Sequence, residues 1–124
     1  MQNPLKLKVA GQAEELAVLV YSTTRALPKA EQYGLTSQMR KAAVSVGSNI
    51  YEGCGRSGNP ELIRFLFIAL GSASELQFQT RLARRLEFLD RPAANKLHAE
   101  VVRTKKMLSS LIAYLRRAEP RRRK

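Results

Sequence analysis

Three sets of residues in this chain of 124 are of types and spacings that do chemistry. The first is Ser45, Asn49 and Glu52, at i, i+4 and i+7, which a helix places on one face. Read as a site, Glu52 is a base and Asn49 orients a ligand. Read as structure, the three are hydrogen-bond partners between helices or subunits, because buried polar groups require partners. Ser45, Gly47 and Ser48 are small, which suits close helix approach better than catalysis, and the structural reading is preferred. Glu75 follows a second small-residue patch, Gly71-Ser72-Ala73-Ser74, and is expected to join this polar seam through Arg40 or Asn49.

The second set is Cys54 and His98, the only cysteine and the only histidine. A nucleophilic thiolate needs a base beside it, and two predicted helices separate these residues. A packed cysteine is the expected role for Cys54. One Cys, one His and scattered carboxylates do not make a metal site. Arg56 sits in the turn Gly53-Cys54-Gly55-Arg56-Ser57-Gly58. Exposed N–H groups there suit an anion, but the Lys-Ser/Thr ending and preceding strand of a phosphate loop are absent. No catalytic residue and no cofactor is expected.

The third set is cationic. Lys and Arg number 22 against 10 Asp and Glu, for a net charge of +12 and a pI near 10.6. The excess is uneven: residues 1–62 carry 7 basic and 5 acidic side chains, residues 63–124 carry 15 and 5. Arg81, Arg84 and Arg85 cluster at i, i+3 and i+4, and Arg91, Lys96, Arg103, Lys105 and Lys106 continue the patch, with Arg116 and Arg117 beyond. A merely solvated face interleaves glutamates, and only Glu87, Asp90 and Glu100 interrupt this one. Such a field favours the phosphate backbone of structured RNA or DNA. With four Phe, four Tyr and no Trp, few rings are expected for base stacking. The alternative is a protein-interaction scaffold, an accessory subunit that docks onto an acidic partner or a nucleic-acid enzyme.

Four helices must position these residues. Val9, Ala13, Leu16, Val20, Thr23 and Leu27 give the first, ended by Pro28. Leu35 to Arg56 gives the second, with Thr36 or Ser37 as N-cap and a stop at Gly53-Cys54-Gly55. The third runs from Pro60 to about Leu89, with Asn59 as N-cap. Its early turns, Leu62 to Leu70, are apolar nearly all round, which predicts burial on more than one side, one of them by another subunit. The fourth, from about Pro92 to Ala118 behind Asp90 as cap, carries a seam of Leu97, Val101, Thr104, Leu108, Leu111, Leu115 and Ala118. These patterns predict an all-α, antiparallel up-down-up-down four-helix bundle over residues 1–119 and a basic tail over 120–124. No apolar run approaches the ~20 residues of a membrane span, and a lone cysteine fits a reducing compartment, so a cytoplasmic protein off the membrane is expected.

The stretch LTSQMRKAAVSVGSNIYEGCGR from Leu35, with ELIRFLFIALGSASEL from Glu61, resembles the four-helix-bundle family named for proteins encoded in 23S rRNA intervening sequences. KLKV at Lys6, Pro28 and Tyr33-Gly34-Leu35-Thr36-Ser37-Gln38 extend the likeness over nearly the whole chain. Gly47 stands where the family usually has Pro, Tyr51 where a small residue is usual, Cys54 where an aromatic is common, and Ala10 where Trp is frequent. The resemblance implies a homo-oligomeric ring or barrel, typically a pentamer. It is related to the accessory proteins of diversity-generating retroelements, basic barrels that engage nucleic acid and a reverse transcriptase.

Overall fold

A computed structural model describes residues 2–118 of the protein. Four helices form most of it: α1 Lys8–Thr23, α2 Leu35–Cys54, α3 Asn59–Arg85 and α4 Arg91–Ala118. No strand occurs among the described residues, and the chain is all-α. The expected basic tail over 120–124 lies outside the described residues.

The helix ends are set by local chemistry, in part not by the residues expected. Gly34, not Thr36 or Ser37, is the N-cap of α2, and Glu31 Oε1 accepts from the Leu35 N–H at 3.0 Å. Thr36 is instead buried inside α2. At α3 the cap is Gly58, held at φ 89, a conformation a side chain resists, with Pro60 in the first turn. Asn59 is already helical. Asp90 does cap α4, its Oδ1 accepting from the Ala93 N–H at 2.9 Å. α3 stops at Arg85 rather than near Leu89 because Glu87 turns left-handed, at φ 62. The Phe88 N–H then donates to the Ala83 carbonyl and the Glu87 N–H to that of Arg84, the paired closure of a Schellman motif.

α1 packs on α2 and α4, and α3 packs on the same two helices. Ser45 meets Ser72 while Gly53 abuts Leu62 and Phe65. Lys105 reaches Gln77 while Arg116 reaches Phe67. Arg40 bonds Thr24 while Gly47 faces Ala13. In each pair, numbers rise along one helix as they fall along its neighbour.

The core has two parts. One gathers Val9, Ala13, Val46, Ile50, Cys54, Leu62, Leu66, Leu108 and Ile112. The other gathers Leu16, Val20, Met39, Leu76, Leu89, Leu97 and Val101. The α4 seam holds at Leu97, Val101, Thr104, Leu108 and Leu115, with two departures: Ile112 is buried in place of the expected Leu111, which is only half-buried, and Ala118 is exposed. A straight helix has 3.6 residues per turn, so a seven-residue seam drifts by about 20° per heptad and the core follows the drift.

α2 stops as expected within Gly53-Cys54-Gly55, at Cys54 with Gly55 as C-cap, and Gly53 in its last turn also lets α3 come close. A Cβ there would sit 2.8 Å from Phe65 Cβ and 3.0 Å from Leu62 Cδ1. Gly47, expected to serve close approach, has only Ala13 Cβ at 3.8 Å, an ordinary contact.

Candidate nucleic-acid interface

The last turns of α3 and the first of α4 bring the arginine cluster into a groove. Thr80 is buried, its hydroxyl donating to the Leu76 carbonyl at 2.8 Å, which fixes the face that α3 turns to the core. Arg81, Arg84 and Arg85 therefore emerge on the α4 side. With Asn95 and His98 of α4 they line a hollow of about 240 Å³. Arg84 and Arg85 also occupy the C-terminal turn, where the helix dipole favours cations.

The other cations divide by helical phase. Arg91, His98 and Lys105 recur every seven residues and Arg116 follows after eleven, so all four fall on one line of α4. That line faces α3: Lys105 Nζ donates to Gln77 Oε1 at 2.8 Å, and the Arg116 guanidinium lies 4.8 Å from the Phe67 ring centroid. Lys105 and Lys106 border a second, open groove of about 500 Å³ with Gln77, Val102, Ser109 and Ser110. Lys96 and Arg103 share a different line, each two residues from a groove residue and so about 200° around the helix. Arg117 is exposed, eleven residues after Lys106 and so near its line. Six of the ten expected residues thus gather along α3–α4: Arg81, Arg84, Arg85, Arg91, Lys105 and Arg116. Lys106 borders it with Arg117 on the same line, while Lys96 and Arg103 stand apart. Among the described residues the salt bridges are Arg56–Glu52 and Arg64–Glu61, so none of the ten is neutralised by a carboxylate there.

The polar seam is smaller than expected. The hydroxyls of Ser45 and Ser72 meet at 2.8 Å, and Asn49 Nδ2 donates to the Ser45 carbonyl at 2.8 Å and its hydroxyl at 3.0 Å. Glu52 is exposed and pairs with Arg56 at 3.0 Å. Glu75 is also exposed, and among the described residues it makes no hydrogen bond or ion pair within the chain. Its expected partner Arg40 is engaged elsewhere: Nε donates to Thr24 Oγ1 at 2.9 Å, and the guanidinium lies over Tyr21. Cys54 is buried in one part of the core, and burial pushes its thiol up; His98 lines the groove at the other end of the bundle. Among the described residues, no three His, Cys, Asp or Glu side chains are grouped to hold a metal. No helix is long and apolar enough to cross a membrane.

Sequence reasoning missed Gln77 and Asn95 as groove residues, and Phe67 and Phe78 as exposed rings on the same helix as the arginine cluster. The signal for the two rings was present: they fall eleven residues apart, one line of α3, amid cations.

The sequence pattern of the 23S rRNA-intervening sequence protein family matches residues 5–110. The chain belongs to this family. An S23 ribosomal protein family member of unknown function from Bacteroides thetaiotaomicron, solved at 1.70 Å, resembles it with a TM-score of 0.77. The two are 24% identical, with 85% of this chain and 95% of that one covered, and the likeness shows a shared fold. No functionally curated protein matches the chain. Within the family pattern fall Ser45, Asn49, the arginine cluster and most of α4, whereas Arg116 and Arg117 lie beyond its end.

Proposed function

We propose that this family member is a nucleic-acid-binding subunit rather than an enzyme, and that it holds RNA or DNA by its phosphate backbone along the α3–α4 groove. The observation that carries this reading is the convergence of Arg81, Arg84 and Arg85 with Asn95 and His98 on one hollow, with no carboxylate paired to them among the described residues. Side-chain cations and amides are the groups that position a phosphate backbone, and they do so without reading sequence. The alternation of helix contacts supports an up-down-up-down antiparallel bundle as the subunit.

The working form is a homo-oligomeric ring or barrel, a pentamer by family resemblance. Val44 and Tyr51 of α2, with Val18 and Tyr21 of α1, leave an apolar outer face suited to a neighbouring copy. A ring would repeat the groove and multiply its avidity. With one free buried cysteine, a reducing cytoplasm suits the protein.

Charge reversal tests the reading. Arg81→Glu with Arg84→Glu and Arg85→Glu is expected to abolish binding to a short RNA duplex or single strand, while the mass by light scattering is unchanged. Binding at full affinity by that variant contradicts the proposal. Binding of neither by the unmodified protein leaves the basic face to an acidic protein partner.

A further inference from the structure

The outer face of α3, beside the cation-lined α3–α4 groove, carries aromatic rings, and we infer that groove and face together take single-stranded rather than duplex nucleic acid, with bases stacked on Phe78 and Phe67. The inference rests on the nucleic-acid reading above and narrows its ligand. Phe78 is 64% exposed and Phe67 42%. Eleven residues are close to three full turns, so the rings share one line of α3 about 16 Å apart. Arg116 covers part of Phe67 from α4. Phe78 lies three and seven residues before Arg81 and Arg85, on the same side of the helix. Between the rings, Lys105 is held at the groove by Gln77. Gly71 shares the line of the rings and has open space where a Cβ would be, which keeps the surface between them low. Glu75 is the one acidic residue of α3 between the rings, and it is exposed.

Rings interleaved with phosphate-binding cations are the composition that holds single strands, since every unpaired base offers a π-face. In a duplex the faces are already stacked on neighbouring pairs and the rings gain nothing.

The test compares the unmodified protein with a double variant, Phe67→Leu and Phe78→Leu, which keeps apolar bulk and helix propensity. Fluorescence anisotropy with a labelled oligo-dT strand and a duplex of equal length gives affinity, and light scattering gives oligomer mass. The unmodified protein is expected to prefer the single strand. The variant is expected to lose at least about tenfold on the single strand and nothing on the duplex, at unchanged mass. Equal losses on both ligands, or none on the single strand, overturn base stacking. A fall in oligomer mass overturns it in favour of rings buried between copies. If the unmodified protein binds neither ligand, the nucleic-acid reading fails with it, an outcome distinct from failure of stacking alone.

Discussion

The guanidinium of Arg116 lies over the ring of Phe67, 4.8 Å from its centroid, and ties the last turns of α4 to the outer lip of α3. With Lys105 on Gln77 and the arginines beside His98, it marks a groove whose two walls both carry cations. From Phe67 to Arg85 the α3 wall runs 18 residues, about 27 Å at the helical rise.

The α2–α3 contact depends on Gly53. Gly53→Ala is expected to destabilise the protein by about 1–3 kcal/mol, because the new Cβ meets Phe65 Cβ at 2.8 Å and the helices must part. Gly47→Ala is expected to be neutral or to stabilise by up to about 1 kcal/mol, since its space is ordinary and alanine favours the helix. Paired thermal or urea melts check both. Opposite outcomes would misplace the close approach.

Glu87 holds the left-handed position of a Schellman closure, where glycine is the usual residue. Glu87→Gly is expected to raise stability by about 1 kcal/mol, which urea denaturation resolves. A loss of stability would mean that the Glu87 side chain contributes more than its backbone strain costs.

Ser45 serves two partners, Ser72 across the helix contact and Asn49 within α2. Ser45→Ala is expected to cost about 1 kcal/mol, by stranding the half-buried Ser72 hydroxyl. Asn49→Ala is expected to cost less, because both of its bonds stay within its own helix. A larger loss at Asn49 in urea melts, or a change of oligomer mass, would assign Asn49 to a subunit contact.

Burial raises the pKa of the Cys54 thiol, so the folded protein holds that proton more tightly than the unfolded chain does. Its contribution is complete at neutral pH and declines as pH climbs through the alkaline thiol range. The unmodified protein is therefore expected to lose more stability on going from neutral to alkaline pH than Cys54→Ala does. Equal losses in melts across that range would indicate a solvated thiol.

The helices and much of the core were legible because apolar spacing reports directly which face is buried. Leu97, Val101, Thr104 and Leu108 all lie where the seam places them. The exchange of Leu111 for Ile112 was not legible, since it depends on whether α4 supercoils or stays straight. The stop at Gly53-Cys54-Gly55 was legible, but the packing role of Gly53 was not, because a glycine that ends a helix and one that admits a neighbouring side chain look alike without the neighbour. The basic residues were legible as a set but not as a site. Phase around α4 separates Lys105 from Arg103, and which line faces α3 follows from packing. Glu52 and Glu75 were grouped with the seam from their place in the sequence, yet both are exposed, and a polar residue near a seam reads the same whether its side chain turns in or out.

The salt dependence of single-stranded RNA binding tests the central claim most directly. If the six groove cations each neutralise one phosphate, the slope of log affinity against log salt is expected to be about −4, and about −2 in the variant Arg81→Ala, Arg84→Ala, Arg85→Ala. A slope near zero, or an equal slope in the two proteins, would contradict backbone binding in the α3–α4 groove.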